Sequence, residues 1–447
     1  MKKRGRKKEN KILKWTLIIL GIVLISSLIA AQFPKISFLF TPNDHDVLFF
    51  YHWWTSAGER AALNALVEVF INKYPEIIVV PSSLVSKSSS GGGIELFNVL
   101  KSVLQSNEPP DAFQMHAGYE TKAYYEANLL DNVDDVWKKE NLEEVVPKMV
   151  QVMCKFDNHY YSVPANIHRT NVVWYNKELL DENNILATKL TTWETFFEAC
   201  DKLKSAGVEY PIQLAAAWTA QHTFDQIVAS QGIDFYEDWV NGKVTSENDP
   251  RLLNALETFK KYLTYVNPDN ANTEWDTAIK RVINKESAFN IMGDWANGEC
   301  KAKEIEYNKD YGTFVVPGTI NMYGLVIDTF QQPKKPQHPE SAEKWLEVVG
   351  SQEGQDAFNP LKGSISARTD TDVSKYGKYQ QTAIFDFISA KYMYPAVSNG
   401  APKEFEVKEQ QIIAEFVKDK DVQKAAKALT DYTRDIANSY TITWELN

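Results

Sequence analysis

Val47–His52 is a short apolar run of strand length. From Gly58 the apolar residues Leu63, Leu66, Val67, Phe70, Ile71 and Tyr74 recur at the i, i+3, i+4 spacing of a helix. Pro75 stops that helix, and the β-branched run Ile77–Val80 reads as the next strand. The alternation continues down the chain. Strand-like runs fall at Asp111–Met115, Thr170–Tyr175, Ile212–Ala216, Ser287–Met292, Tyr311–Val316 and Tyr323–Ile327. Between them helical periodicity covers Ile94–Gln105, Asp134–Met153, Thr192–Ser205, Pro250–Tyr265 and Asn272–Lys285. Further helices are expected at Pro339–Gly350, Tyr379–Ala390, Glu404–Asp419 and Val422–Asn438. Cys154–Val163 reads as a hairpin turning at Asp157-Asn158, and Thr191 with Glu194 as a capping box. The class is α/β.

Charge separates the front end from the rest. Eight Lys and Arg against the single Glu9 make the first 14 residues +7, and the whole chain is −11, which leaves −18 for the remainder. The basic block is therefore a separate device and not a nucleic-acid face. Trp15–Pro34 follows without a charge, long enough for a membrane span of about 20 residues. The positive-inside rule puts the basic tail in the cytoplasm and the body outside. A cleaved signal peptide ending near Leu28–Ala31 is the alternative; an uncleaved anchor is preferred. Residues 32–46 read as a linker. Cys154, Cys200 and Cys300 are too few for a disulfide scaffold; one bridge is conceivable, and nothing has zinc spacing.

The 447 residues contain no GxSxG, HExxH, Walker A or Cys/His nucleophile signature. No metal or cofactor is called for. The glycines of Ser82–Gly93 lack the GK[ST] of a phosphate loop and read as a flexible connection. The strand ends carry rings and polar groups instead: Trp53, Trp54, Glu59, Gln114, His116, His168, Trp218, His222, Trp275, Asp294 and Trp295. In open α/β sheets ligands bind outside the carboxyl ends of strands. A pyranose offers apolar faces to flat rings and a rim of hydroxyls to carboxylates, whose charge-assisted hydrogen bonds are the strong ones. Each residue also has a plainer reading. Ser56 and Glu59 fit a capping box, and one carboxylate can both cap and bind. Only one of Trp53 and Trp54 can face outward if strand alternation persists, and Trp54 is taken as that ring. Asp294 could cap its turn, and Trp275 lies on an amphipathic helix as a core residue would.

YHWWTSAGE (Tyr51–Glu59), the Gly91–Gly93 loop, PPDAFQMHAG (Pro109–Gly118), VPANIHRTNVVWYN (Val163–Asn176), SAFNIMGDWANG (Ser287–Gly298) and EGQDAFNPLKGSISAR (Glu353–Arg368) resemble one family. It is the glucose-binding branch of the extracellular solute-binding proteins of carbohydrate ATP-binding-cassette transporters. The resemblance implies a two-lobe periplasmic-binding-protein-like fold with three hinge crossings, here preceded by an N-terminal transmembrane helix. Lobe one would comprise 45–162 and 323–365, lobe two 163–322 and 366–447. It implies that Trp54, with Trp53 near, stacks on the sugar and that Glu59 accepts from its hydroxyls. Gln114 and His116 would contribute from the first lobe, Trp275 and Asp294 from the second, and Lys362 from beside the hinge. His168 belongs to the motif as a ligand contact or a support behind one. The implied ligand is a monosaccharide, glucose first and then galactose or mannose, and the implied partner is a membrane permease. One departure stands out: VSNG (Val397–Gly400) occupies the place of a family His, with Ser398 or Asn399 as replacement. Two other functions compete, a glycoside hydrolase using Glu59 and Asp294 and a membrane-anchored sugar sensor.

Overall fold

The computed structural model describes residues 47–83, 92–106 and 108–446. The expected basic tail, anchor and linker, and most of the Ser/Gly loop, lie outside those residues. Among the described residues no helix is long and apolar enough to cross a membrane.

The opening unit follows its pattern. β1 (Val47–His52) alternates half-buried and buried positions, and α1 (Ala57–Lys73) and β2 (Ile78–Ser83) follow. Ser56 and Glu59 form the reciprocal box: the Ser56 hydroxyl accepts from the Glu59 N–H at 3.4 Å, and Glu59 Oε2 accepts from the Ser56 N–H at 3.1 Å. After α2 (Gly92–Leu104) come β3 (Ala112–His116) and α3 (Tyr119–Glu126). The helices expected over Asp134–Met153 are three short ones, α4 (Asp134–Lys139), α5 (Leu142–Val145) and α6 (Lys148–Cys154). Asn141 in the left-handed region and Pro147 make the two breaks. The hairpin β4 (Lys155–Phe156) and β5 (His159–Tyr160) turns where expected, with Asp157 and Asn158 both at positive φ, the requirement of a tight primed turn.

Three short strands follow, β6 (Val163–Pro164), β7 (His168–Arg169) and β8 (Val172–Asn176), then α7 (Lys177–Glu182) and α8 (Trp193–Ser205). α8 is capped by Thr192 with Thr195, not by Thr191 with Glu194. Ile212–Ala216 forms only isolated bridges from Ile212, to Val266 and Phe289, because its other amides are taken singly, as Leu214 N–H is by Asn267 Oδ1 at 2.8 Å. Next are α9 (Ala217–Ala229), α10 (Ile233–Val240), α11 (Pro250–Tyr262), α12 (Trp275–Ile283), β9 (Phe289–Ile291), α13 (Ala296–Ala302), β10 (Tyr311–Val315), β11 (Met322–Val326) and β12 (Asp328–Gln331). The chain ends with α14 (Pro339–Gly350), α15 (Gln352–Lys362), α16 (Lys378–Ser389), β13 (Tyr392–Pro395), α17 (Val397–Gly400), α18 (Lys403–Asp419) and α19 (Val422–Asp435). The three cysteines are buried free thiols.

Two separate sheet systems result. A five-stranded sheet runs β2-β1-β3-β12-β6, with β1 and β3 parallel and β12 antiparallel to both β3 and β6. Two three-stranded sheets, β10-β8-β9 and β13-β11-β7, make up the second system, and β4-β5 is a hairpin apart from both. β6 pairs in the first sheet and β7 and β11 in the second system, so the chain passes between the sheet systems at 165–167 and at Ile327. The first sheet is held to its helices by rings. Phe50 stacks on Trp345 with centroids 4.5 Å apart, and Phe330 meets both edge-on at 5.6 and 5.3 Å.

α1, α13 and the end of α15 meet at glycines. A Cβ on Gly58 would lie 2.6 Å from the carbonyl carbon of Gly298, and one on Gly298 would lie 2.8 Å from the Lys362 carbonyl oxygen. The backbones therefore touch directly, and this contact carries Glu59, Asp294 and Lys362 toward one place. Gly298→Ala should cost about 1–3 kcal/mol by overpacking, read as a lower urea midpoint at unchanged slope; an unchanged midpoint means the junction yields freely.

Candidate functional site

The carboxyl ends of β1 and β3, the start of β12 and the end of α15 bring first-sheet residues to one edge; β7 and the turn after β9 supply residues from the second system. At the centre lies Asp328, a buried carboxylate that opens β12. Its Oδ1 accepts from Gln114 Nε2 at 3.3 Å and lies 3.7 Å from His116 Nε2. Its Oδ2 accepts from Asn166 Nδ2 at 2.9 Å and lies 3.4 Å from His168 Nε2. Burial alone would raise its pKa, but the hydrogen bond and charge of His168, with Lys362 and His116, hold it well below the usual carboxylate range. Asp294 is also fully buried and bonds His168 Nδ1 through Oδ1. Here burial wins over His168, and its pKa is raised.

Glu59 has two roles on its two oxygens. Oε2 takes the Thr55 and Ser56 N–H groups, each at 3.1 Å, while Oε1 lies 3.3 Å from Lys362 Nζ. The cap and the site are thus served by one side chain. Lys362 is itself buried, its Nζ 5.8 Å from the Trp54 ring centroid. Gln114 is wholly engaged: Oε1 accepts the Trp53 N–H at 3.1 Å while Nε2 serves Asp328.

The burial of the two tryptophans is the reverse of the facing expected for them. The alternation of β1 runs on through the turn, so Trp53 is half-buried and Trp54 fully buried. Trp54 packs on Phe358 at 4.8 Å and Phe330 at 5.8 Å, tying α15 to β12. A ring burying 150–250 Å² at about 25 cal/mol per Å² gains roughly 4–6 kcal/mol, reason enough for it to be core. Trp53 lies 4.9 Å from the His116 ring instead. From the other side Trp295, also half-buried, meets His168 at 5.3 Å, His222 at 5.7 Å and Trp218 at 6.1 Å. Trp275 is half-buried at the first position of α12 and packs against the core, as Trp53 and Trp295 also do. Asn399, in the place of the family His, donates its Nδ2 to the Ala117 carbonyl at 3.0 Å.

Asp328, Asn166 as its donor, and Glu299, whose Oε1 accepts the Gly58 N–H at 2.8 Å, escaped assignment from sequence. The signal for Asp328 was its place: a lone carboxylate inside the apolar run of Tyr323–Phe330. Several buried polar atoms have no hydrogen-bond partner among the described residues, including Trp54 Nε1, Asp294 Oδ2, Trp295 Nε1 and His222 Nε2. Unpartnered indoles also occur in the core, at Trp239 and Trp345. The weight therefore rests on Asp294 Oδ2, a carboxylate oxygen costly to leave unsatisfied. A neutral polyol hydroxyl aimed at it would supply the donor.

The profile of the family described as bacterial extracellular solute-binding protein matches residues 53–356. An ABC transporter extracellular-binding protein of Pyrococcus horikoshii is 41% identical over 404 residues, 89% of this chain and 90% of that one. A probable sugar-binding periplasmic protein of Rhizobium meliloti is 32% identical over 333 residues, 73% of this chain and 78% of that one. Among solved structures, the bacterial solute receptor AcbH, described as preferring β-D-galactopyranose, superposes with a TM-score of 0.76 at 19% identity, covering 88% of this chain and 99% of that one.

Asp328→Asn would set an amide donor against the donors of Gln114 and Asn166 and strip the histidines of their shared anion. The expected loss of stability is about 3–5 kcal/mol, as when one partner of a buried charged network is removed. Equilibrium urea unfolding measures it, and a loss below about 1 kcal/mol would show that the network does not depend on this carboxylate.

Proposed function

The chain belongs to the bacterial extracellular solute-binding protein family, and on that premise we propose that it captures a glucose-type monosaccharide and presents it to the permease of an ABC transporter. The family and fold are those of solute-binding proteins and not of enzymes. Sugar binding at large accords with the relatives; the choice of a single hexose is our reading of the residues. The observation that carries it is Asp294, a buried carboxylate with one oxygen bonded to His168 and the other unpartnered, close to the half-buried Trp295 ring that His168 also touches. Trp53 faces the same network through His116. Two rings reaching it from different sheet systems suit the two faces of one pyranose, and Glu59, Asp294 and Lys362 suit its rim.

In this reading Trp53 and Trp295 replace Trp54 and Trp275 as the stacking platforms. The sugar binds one lobe and recruits the other, so the closed state gains by differential affinity. We further propose that residues 15–34 anchor the body to the outer face of the membrane, with residues 1–14 in the cytoplasm. The hydrolase reading needs Glu59 and Asp294 as a free acid and base, whereas Glu59 is bound to two backbone amides and Lys362, and Asp294 to His168.

Calorimetric titration of the purified chain with glucose, galactose, mannose and short oligosaccharides tests this. One hexose should bind at a ratio of one to one without turnover. Asp294→Asn should weaken it by about 1.5–3 kcal/mol, the range of a hydrogen bond to a charged group. Trp53→Ala should lose most of the affinity while unfolding close to the wild-type midpoint. Heat from oligosaccharides alone, or their cleavage, would overturn the monosaccharide reading.

A further inference from the structure

Residues 440–446 run past α19 without helix or strand, and the sugar-binding reading gives them no task, yet they are bonded at both ends. At one end the Tyr119 hydroxyl accepts the Thr441 and Ile442 N–H groups at 2.8 Å each and donates to the Ile442 carbonyl at 3.3 Å. A phenolic hydroxyl has one proton and two lone pairs, so this one is spent entirely on the tail. Tyr119 opens α3, which is fastened to the first sheet by Thr121. The Thr121 hydroxyl donates to the His116 carbonyl of β3 at 2.8 Å and accepts from Gln331 Nε2 of β12 at 3.0 Å. At the other end Trp444 and Asn241 exchange a reciprocal pair. The Trp444 N–H donates to Asn241 Oδ1 at 2.8 Å, and Asn241 Nδ2 donates to the Trp444 carbonyl at 2.9 Å. The Leu446 N–H donates to Glu237 Oε2 of α10 at 2.8 Å, and the Trp444 and Leu446 side chains are buried. α10 belongs to the second system: its Tyr236 hydroxyl donates to the Pro395 carbonyl of β13 at 2.9 Å.

Between these anchors the two systems touch. A Cβ on Gly118 would overlap the Asn399 carbonyl oxygen, Asn399 Nδ2 donates to the Ala117 carbonyl, and Glu120 of α3 pairs with Lys403 of α18. Trp444 Nε1 donates to the Gly400 carbonyl at 2.6 Å, so the tail also grips the α17 side of that contact. We propose that residues 440–446 are a strap: with Tyr119 as its catch, it ties the first sheet to the second system and favours the closed arrangement that takes up sugar. The effect on binding rests on the sugar-binding reading; the tie itself does not. The crossings at 165–167 and Ile327 join the systems covalently but leave the angle between them free. The strap is short. Ile442 stands two positions before Trp444, a span of at most about 7 Å when fully extended. A motion that carries α3 farther from α10 than that must break the Tyr119 bonds or pull Trp444 from its site. The strap therefore raises the closed fraction before any ligand arrives, and apparent affinity rises with that fraction.

Tyr119→Phe keeps the ring and removes all three bonds to the tail. Spin labels at Val99→Cys and Leu186→Cys, both exposed and on different systems, report the separation while the three native thiols stay buried. Without sugar, Tyr119→Phe should lengthen the mean label distance; saturating glucose should restore the wild-type value. Calorimetric titration should show glucose bound about 3- to 10-fold more weakly, the scale of the hydrogen bonds removed. Deleting residues 444–447 should act in the same direction. Amide hydrogen exchange of the wild type needs no variant to fold: the Thr441 and Ile442 amides should be protected without sugar and more so with glucose. Exchange at the rate of an unstructured peptide overturns the proposal. If the wild type gives no heat with any sugar, the sugar-binding reading has failed, and the sugar-free distances still decide the strap. If it binds and Tyr119→Phe leaves both distance and affinity unchanged, the strap alone has failed, even where the urea midpoint falls.

Discussion

A single buried carboxylate, Asp328, is the group on which the site depends. It is desolvated, which costs several kcal/mol before any partner is counted, and this is offset by the Gln114 and Asn166 amides and the His168 imidazole. Each donor is thereby fixed at one end and left with its other end for a further task. Gln114 uses its carbonyl to hold the Trp53 backbone, and His168 uses Nδ1 to hold Asp294. The arrangement turns an expensive burial into orientation. Because the donors come from β3 in one sheet and from β7 in the other system, the same carboxylate also sits where the two systems meet.

The elements were legible in the sequence wherever one periodicity ran unbroken between clear stops. Helix α14 begins and ends where its apolar spacing and Pro339 predict, and the hairpin at Asp157-Asn158 was readable from its turn residues. Within the helical stretch Asp134–Met153, Asn141 and Pro147 set where one helix ends and the next begins, because a left-handed residue and a missing N–H each outrank continued hydrophobic spacing. One strand-like run failed for a local physical cause. Ile212–Ala216 has a strand's composition, yet its amides go to scattered acceptors and it joins no ladder.

The site was legible in its residue types and less so in their orientations. Motif resemblance pointed to the adjacent pair Trp53 and Trp54 but could not tell which ring faces in. That is decided by the two-residue period of β1 and by the rings of Phe330 and Phe358, which pack on the inward one. Asp328 illustrates the opposite case. Its importance comes wholly from partners 160 to 215 positions away in the chain, roughly, and no local pattern carries such information; only its awkward place in an apolar run marks it.

The glycine junction bears on the closure proposed above. Gly58 donates to Glu299, Lys362 pairs with Glu59, and Gly298 presses on the Lys362 carbonyl, all between protein groups. Each neutral or charge-assisted bond of this kind is worth roughly 0.5–3 kcal/mol net. In the reading proposed above, contacts between α1 and α13 would pre-load part of the free energy of the closed form, and a bound hexose would supply only the remainder. A ligand that must move an equilibrium from 1:99 to 99:1 needs about 5.5 kcal/mol of differential binding. Starting from a better-populated closed form lowers that demand. It leaves more of the sugar's hydrogen-bonding free energy to appear as affinity and less to be spent on moving the lobes.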